Sequence, residues 1–426
     1  MKVVIVGGGV AGLCTAYYLR KRDVDVTLLE SRTLGSRSAA SYGNGGWITP
    51  AQAGPLPEPG LTLHGVRALM NADSALYFRP SYLPKLVPWL LRFRTYCNAA
   101  DHQRGWGAIA QLGQRVFDLV DAMAADGIEF ELYKTGMVCA TAKPEEAQKV
   151  LDALEPMRPF GFELPTELLV GEELHALEPA LTDRVGAGFY VSQQWHVRAD
   201  TFTNGLAQKV RDLGTEVVEE AEVHRFATAG GRVEAAETSR GDFTGDAFLL
   251  AAGSWTTPLA AKLGVHFPME PGKGYTFLLQ PSVMPKHGIL FADIHAGCSP
   301  FADRIRISGT MEFSGYNLEL DKRRIDNVFR LASEYLRLDQ PTYENAWAGL
   351  RPMVADGLPI LDVTREYANA YVSTGYSMLG MTLSQPAGEA MAEMIVTQRR
   401  PEVFDPFRID RFPKTIYRKS ESAASG

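Results

Sequence analysis

The sequence predicts an α/β protein in which a doubly wound, dinucleotide-binding domain is joined to a mixed-sheet α+β domain, both discontinuous. In the first 30 residues, an apolar strand, a glycine-rich turn, a helix and a second strand follow one another. Further apolar strands at 216–218, 248–251 and 370–373 lie far along the chain, two of them before turns of small residues. Such strands are typical of a buried parallel sheet to which the chain returns.

Composition limits the function. The chain has 426 residues, 46% of them apolar, and a net charge of −7. This is enough material for two domains, and it lacks the basic surplus of a nucleic-acid-binding protein. The four cysteines are widely spaced, which predicts neither a zinc site nor disulfides, so no metal is expected. We see no signal peptide and no membrane-spanning run, and we expect a cytoplasmic protein.

The glycine-rich turn has the spacing G-x-G-x-x-G at Gly7, Gly9 and Gly12, directly after the strand 3–6. Gly7 permits a tight turn, Gly9 lets the backbone approach a pyrophosphate, and Gly12 lets the helix pack closely on the strand. The helix N-terminus then faces the anion. The second strand ends at Glu30, which can accept a hydrogen bond from a ribose hydroxyl.

The loop that follows favours FAD over a nicotinamide dinucleotide. Glu30 disfavours the 2′-phosphate of NADP. Small residues at 38–41 and the run Asn44-Gly45-Gly46 offer backbone N–H groups and let the chain pass close to a flat ring. Later, the small residues 252–254 turn beneath the dinucleotide, and the loop 374–382 leads into a helix whose N-terminus would face the pyrimidine edge of the flavin. We therefore expect cofactor contacts from Gly7, Gly9, Val10, Ala11, Gly12, Glu30, Ser31, Arg32, Ser41, Asn44, Gly45, Gly46, Ala252, Gly253, Gly375, Ser377, Met378, Leu379, Gly380, Met381 and Thr382.

Six motifs occur in one order: the N-terminal turn, SYGNGG, FLLAAGSWT, KGYT, GLRPMVADGLP and STGYSMLGMTLS. Over residues 1 to about 405 the chain resembles the FAD-dependent amine oxidoreductases of the D-amino-acid oxidase and glycine oxidase type. Among them it is most similar to bacterial D-amino-acid dehydrogenases of the small-subunit type. The resemblance implies non-covalent FAD and a backbone contact from Val223 to the adenine.

The resemblance also implies an anion-binding arginine. Arg351 matches the family arginine that pairs with the substrate carboxylate, for which a planar guanidinium is well suited. We place it on a loop, and the alternative is an internal salt bridge to Asp356. Tyr275 and, more weakly, Tyr316 are candidates for a further hydrogen bond to the carboxylate. Tyr376 stands where many relatives have a histidine, and it completes the candidate catalytic set.

The expected reaction is oxidative deamination of a small or medium D-amino acid, with hydride transfer from Cα to flavin N5 and electrons passing to a quinone or other acceptor. One alternative is a glycine, sarcosine or hydroxyproline oxidase that uses oxygen. The other is a flavin-binding electron-transfer subunit of a heteromeric dehydrogenase. The oligomeric state stays open.

We assign residues 1–85, 170–265 and 345–405 to the FAD domain, 86–169 and 266–344 to the substrate domain, and 406–426 to a C-terminal tail. Residues 76–97, rich in aromatic and basic side chains, could be a peripheral contact with the inner face of the cell membrane or a cover packed on the protein. We expect surface positions for Lys273, His196 and Arg306.

Overall fold

The computed structural model describes residues 1–61, 74–338 and 342–412. Within these ranges the strands, in chain order, are β1 (Lys2–Val6), β2 (Asp25–Leu29), β3 (Trp47–Ile48), β4 (Leu76–Phe78), β5 (Leu132–Tyr133), β6 (Met137–Thr141), β7 (Leu169–Val170), β8 (Ala187–Val191), β9 (Trp195–Val197), β10 (Glu216–Val218), β11 (Val223–Ala229), β12 (Arg232–Thr238), β13 (Gly241–Thr244), β14 (Ala247–Leu250), β15 (Met269–Leu279), β16 (Gly288–Phe291), β17 (Ala296–Pro300), β18 (Ile305–Phe313), β19 (Glu344–Val354), β20 (Ile360–Val363) and β21 (Ala370–Thr374). The helices are α1 (Val10–Arg20), α2 (Leu83–Tyr96), α3 (Ala99–Gly113), α4 (Val116–Ala125), α5 (Pro144–Ala153), α6 (Glu172–Leu177), α7 (Ala199–Asp212), α8 (Thr256–Ala261), α9 (Lys322–Tyr335) and α10 (Gly380–Thr397).

The predicted doubly wound sheet is present, with the order β10-β2-β1-β14-β21-β20. The first five strands run parallel, and β20 is antiparallel at one edge. Central strands of such a sheet are covered on both faces, and β1 and β14 are accordingly apolar and buried. This arrangement brings the ends of β1, β14 and β21 to one edge of the sheet, where the three turns of small residues begin.

Helices α1 and α10 pack against each other closely because small residues line their contact. A Cβ atom on Gly388 of α10 would lie 2.8 Å from Cβ of Cys14. Their first turns are also adjacent, since a Cβ on Gly380 would meet Val10 Cγ1 at 3.8 Å. Two helix N-termini, each with unsatisfied N–H groups, therefore lie side by side at the edge where the sheet strands end.

The second large sheet has nine strands in the order β19-β15-β18-β17-β16-β6-β8-β7, with β4 also paired to β18. The sheet contains both parallel and antiparallel strand pairs, which confirms the predicted mixed sheet. Helix α9 covers one face and buries Ile325, Val328 and Ala332 in the core of this sheet.

The predicted segment boundaries need correction, although the division into domains itself stays a prediction. Strands β4, β8 and β19 lie in segments assigned to the FAD domain but pair within the nine-stranded sheet. Strand β19 joins because it pairs with β15 along most of its length. The described part of the predicted tail also packs on the protein, with Phe407 completely buried.

Helix α2 covers the protein with the aromatic residues that sequence analysis considered for a membrane. Trp89 is 5% exposed, and its Nε1 donates to the carbonyl of Met353 at 3.1 Å. Phe93 stacks on Trp89 at 5.0 Å between ring centroids. The exposed apolar residues of this helix are instead Val87 and Leu91. No helix in the described ranges is long and apolar enough to cross a membrane.

Three predicted surface side chains are buried because each has a polar partner inside. Lys273 is 1% exposed and pairs with Glu312 at 3.0 Å. Arg306 is 5% exposed and donates to the carbonyl of Asn44 at 2.9 Å. His196 is 1% exposed in β9, where it stacks on Tyr133 at 4.7 Å. Alternation along a strand does not distinguish a solvated charge from a paired one.

Burial of His196 makes stability depend on pH. Its Nε2 donates to the carbonyl of Pro300 at 2.8 Å, and Nδ1 has no hydrogen-bond partner among the described residues. Burial lowers the pKa of His196 from 6.5 to about 4. Between these values the unfolded chain binds a proton that the folded chain does not, so stability falls as pH falls from 6.5 toward 4.

We expect the His196→Gln variant to lose part of this pH dependence. The full effect of such a pKa difference is about 3 kcal/mol of unfolding free energy. Urea unfolding of wild type and variant at pH 7.5, 6 and 5 measures it. The same loss of stability in both proteins between pH 7.5 and 5 would contradict the assignment.

Candidate FAD and substrate site

A cavity of about 1120 Å³ lies where the ends of β1, β14 and β21 meet strand β19 of the nine-stranded sheet. Gly7 forms the turn after β1 with φ +112, and a Cβ there would lie 2.6 Å from the carbonyl oxygen of Ala251. A Cβ on Gly12 would lie 2.0 Å from the carbonyl oxygen of Gly7, so the first turn of α1 can pack on this turn only without a side chain. These two contacts agree with the roles that the G-x-G-x-x-G spacing predicts.

Gly9 differs from both of these glycines because the space beside it is open. A Cβ on Gly9 would meet only Ser41 Oγ, at 3.8 Å, and Gly9 lines the cavity. Its φ is −72, so the position accepts an L-residue conformation and the constraint comes from the cavity. A larger side chain here would occupy the space beside the N-terminus of α1, where a pyrophosphate would lie.

One end of the cavity is polar and is formed by the six-stranded sheet. The carboxylate of Glu30 accepts from the backbone N–H of Gly8 at 2.8 Å and of Arg32 at 3.0 Å. Val223 lines this end, where the resemblance implies the adenine contact, and Lys262 lies beside it. Both Glu30 oxygens retain acceptor capacity, which suits ribose hydroxyl groups.

The middle of the cavity presents polar groups that have no partner within the protein. The hydroxyl groups of Ser41, Ser377 and Ser384 are buried, and none has a hydrogen-bond partner in the described residues. All three residues line the cavity. Buried hydroxyl groups of this kind are normally satisfied, so a polar ligand is the missing partner. The volume of the cavity, the open space beside Gly9 and the three hydroxyl groups without partners together fit an extended dinucleotide.

Arg351 lies at the other end, in strand β19 and not on the predicted loop. A Cβ on Gly274 of β15 would come within 2.3 Å of Cζ, Nη1 and Nη2, so the guanidinium lies directly over that glycine. Nη1 donates to the carbonyl of Thr310 at 2.7 Å. Gly349 does not form a turn either: it leaves room for the ring of Trp347, which a Cβ would meet at 2.0 Å.

The conformation of Thr310 explains how its carbonyl reaches Arg351. Thr310 has φ +65, which is unusual for a β-branched residue. The pairing of β15 with β18 shifts register here, between Lys273 and Tyr275. Such a bulge turns backbone groups away from the ladder, and strained backbone of this kind is often found at functional sites.

The guanidinium of Arg351 has no acidic partner within 4.0 Å among residues 1–61, 74–338 and 342–412. The alternative partner, Asp356, pairs with Arg411 at 2.6 Å. Burial lowers the pKa of Arg351 to about 10, so the side chain is still a cation at neutral pH. Even a partly buried cation without a counter-ion is costly, and an anion from outside the chain would relieve that cost.

The three candidate tyrosines lie at different places relative to the cavity. Tyr376 lines the cavity, and its hydroxyl lies 2.7 Å from Ser373 Oγ. Burial raises its pKa, which keeps the phenol neutral. Tyr316 lies at the rim and donates to the carbonyl of Ser254 at 3.1 Å. Tyr275 is fully buried away from the cavity, where it donates to Glu312 at 2.8 Å, so the structure does not place it with Arg351.

Most predicted cofactor residues line the cavity: Gly7, Gly9, Val10, Ala11, Glu30, Ser31, Arg32, Ser41, Asn44, Val223, Ala252, Gly253, Ser377, Gly380 and Met381. The others do not line the cavity: Gly12, Gly45, Gly46, Gly375, Met378, Leu379 and Thr382. Thr382, for example, donates to the carbonyl of Trp47 at 3.0 Å. Gly46 has φ +78 and leaves room for the carbonyl of Val197.

Sequence reasoning missed several lining residues: Trp255, Leu318, Leu350, Ser373 and Ser384. Trp255 continues the recognised turn 252–254, so extending that motif would have included it. Leu318 has no local signal, because it reaches the cavity only through the path of the loop after β18.

Fold and site together indicate a protein that binds an extended dinucleotide. The family model for FAD-dependent oxidoreductases, designated DAO, matches residues 2–394. The chain is 30% identical over 421 residues to a D-amino acid dehydrogenase of Bradyrhizobium diazoefficiens, covering 97% of this chain and 99% of the relative. It is 29% identical over 426 residues to one of Rhizorhabdus wittichii, covering 97% and 100%.

Solved structures agree on the fold. Glycine oxidase from Bacillus cereus has a TM-score of 0.73 at 21% identity, covering 95% of this chain and 97% of that one. L-Proline dehydrogenase from P. horikoshii has a TM-score of 0.70 at 20% identity, covering 96% and 98%. The chain therefore belongs to the DAO family of FAD-dependent oxidoreductases, and FAD is its cofactor.

We expect the Gly9→Val variant to fold but to lose FAD, since the added methyl groups would occupy the space beside the N-terminus of α1. The ratio of flavin to protein absorbance after purification measures this, with circular dichroism to confirm folding. Gly107→Val in α3 is a control, because a Cβ there meets only Phe160, at 3.5 Å. A folded Gly9→Val protein with full flavin content would contradict this view of the turn.

Proposed function

We propose that this enzyme oxidatively deaminates D-amino acids that it holds by their carboxylate. The observation that supports this most directly is the partly buried guanidinium of Arg351 in the cofactor cavity, which has no counter-ion among the described residues. Two of its features suit a carboxylate: the planar fork and the fixed orientation over Gly274. The D configuration rests on the similarity to the two bacterial relatives, which extends over nearly the whole chain.

The protein would act by orientation. Arg351 would anchor the carboxylate so that the Cα–H bond points at the cofactor, whose N5 supplies the hydride acceptor when FAD is bound. Near Arg351 the cavity is lined by Ser254, Trp255, Leu318, Leu350, Pro352, Tyr376 and Ser377, all of them uncharged. Without an acidic side chain to hold an ammonium group, the amine would react in its neutral form.

In the proposed reaction the substrate loses two electrons and two hydrogens. Cα loses a hydride and the amine nitrogen loses a proton, which gives an imino acid that water converts to a keto acid and ammonia. FAD would be held without a covalent bond, since no cysteine is among the described residues that line the cavity. The two electrons would then pass to a quinone or another acceptor. Val87 and Leu91 of α2, with Lys85 and Arg94 on the same helix, would be the place for a peripheral membrane contact.

Two alternatives remain within the same site. An oxygen-using glycine, sarcosine or hydroxyproline oxidase would need the same anchor, and it is favoured by the structural similarity to glycine oxidase. An electron-transfer subunit without its own substrate would leave Arg351 without an anion. The free-energy cost of a partly buried cation without a counter-ion argues against this alternative.

An anaerobic absorbance spectrum with paired D- and L-amino acids tests the proposal. We expect the oxidised flavin band to bleach with D-alanine or D-proline and to persist with the L-forms. Admitting air and then a soluble quinone would show which acceptor reoxidises the flavin. A flavin that stays oxidised with every amino acid would rule out the proposed activity and leave the fold assignment unchanged.

We expect the Arg351→Ala variant to bind carboxylate substrates about 2–4 kcal/mol more weakly, because a charge-assisted pair is lost. Steady-state kinetics with D-alanine measure the effect on turnover. A binding titration with a carboxylate that is not oxidised measures the effect on affinity. Arg351→Lys keeps the charge without the fork and should recover only part of the affinity. Near-wild-type kinetics for Arg351→Ala would rule out the anchor.

A further inference from the structure

The loop 314–321, which we call the rim loop, follows β18 and ends where the side chain of Asp321 caps α9. Two of its leucines point to different places. Leu318 lines the cavity, and Leu320 does not. Both are partly exposed, Leu318 at 39% and Leu320 at 49%. Two similar side chains in one loop thus differ in their relation to the site.

The rim loop is fixed on both sides of Leu318. Before it, Gly315 has φ +71, and a Cβ there would lie 2.8 Å from the ring of Tyr82. Tyr316 then reaches across to the carbonyl of Ser254. After it, the ammonium group of Lys273 donates to the carbonyl of Glu319 at 3.0 Å. The loop is therefore a built wall of the cavity, held in part by a lysine that is itself paired inside the protein.

The surface that Leu318 forms is apolar. Tyr316 and Trp255 are in contact, with ring centroids 5.9 Å apart, and Trp255 lines the cavity together with Leu318. Leu350, next to the anchor Arg351, also lines this end. An amino acid held at Arg351 would have its side chain as the part free to cover this wall, and covering apolar surface is favourable.

We propose that the rim loop forms the side-chain pocket of the substrate site, and that Leu318 is a specificity-determining residue that selects amino acids with apolar side chains. This inference rests on the proposed function only through the carboxylate anchor at Arg351. It assigns a substrate class by the chemistry of the cavity wall near that anchor.

The test uses straight-chain carboxylates from acetate to hexanoate, which need not be oxidised. Their dissociation constants are measured with the FAD-loaded enzyme from the perturbation of the flavin spectrum. Burial of a methylene is worth about 0.8 kcal/mol, so we expect affinity to rise by up to about fourfold for each methylene that contacts the wall. No increase with chain length in the wild-type enzyme would overturn the proposal.

Matched variants show whether Leu318 is responsible. Leu318→Glu should abolish the increase in affinity with chain length, because a charged group would replace the apolar wall. Leu320→Glu adds the same charge two residues away and should leave the increase unchanged. Flavin content and melting temperature verify that both variants are intact. Equal chain-length dependence in the two variants would overturn the role of Leu318.

Amino acids separate this inference from the proposed function. If D-amino acids reduce the flavin but D-leucine is not favoured over D-serine, the pocket assignment fails and the function stands. If carboxylates show the chain-length effect that depends on Leu318 but no amino acid reduces the flavin, the pocket stands and the function fails. Leu318→Glu should also lower kcat/KM for D-leucine about tenfold more than for D-alanine.

Discussion

The site depends on one partly buried cation for which the described residues supply no counter-ion. Arg351 sits over Gly274 and donates to the carbonyl of Thr310, which satisfies one N–H but does not neutralise the positive charge. A carbonyl orients a guanidinium without competing for an anion as a carboxylate would. Three strands contribute to this arrangement. Strand β15 has Gly274, which carries no side chain, β18 has a bulge, and β19 carries Arg351. Under the proposed function, Arg351 would thus determine the charge of the ligand.

The neighbouring cation Lys273 differs from Arg351 because it has a counter-ion within the protein. Lys273 lies one residue before Gly274 and is removed from water more completely than Arg351, and it is paired with Glu312. Glu312 also accepts a hydrogen bond from Tyr275. The chain therefore does supply a counter-ion where a buried cation has a structural task. The absence of an acid at Arg351, within the described residues, is what the proposed function explains, since an external anion would supply the missing charge.

Local motifs and long-range contacts were not equally predictable. The G-x-G-x-x-G turn, Glu30 and the turn at 252–253 could be predicted because the residues that create them are consecutive, and they line the cavity as expected. Arg351 was identified through the family resemblance, but its strand was mistaken for a loop, since Gly349 and Pro352 look like turn residues. Tyr275, Lys273 and Arg306 were misplaced for another reason. Whether such side chains face the site or a buried partner depends on Glu312 and Asn44, which are distant in sequence.

Tyr376 stands where the family resemblance implies a histidine in many members, and this difference affects the electrostatics of the site. Burial raises the pKa of its phenol, and its hydroxyl is shared with Ser373, so it brings no charge. Arg351 is then the cation at the substrate end among the described lining residues. Positive potential for the flavin would have to come from backbone groups, and the N-terminus of α10 offers them at Gly380 and Met381, both on the cavity wall. A helix terminus does not titrate. The environment of the cofactor should therefore vary little with pH, and the amine of the substrate would be the group whose protonation governs the rate.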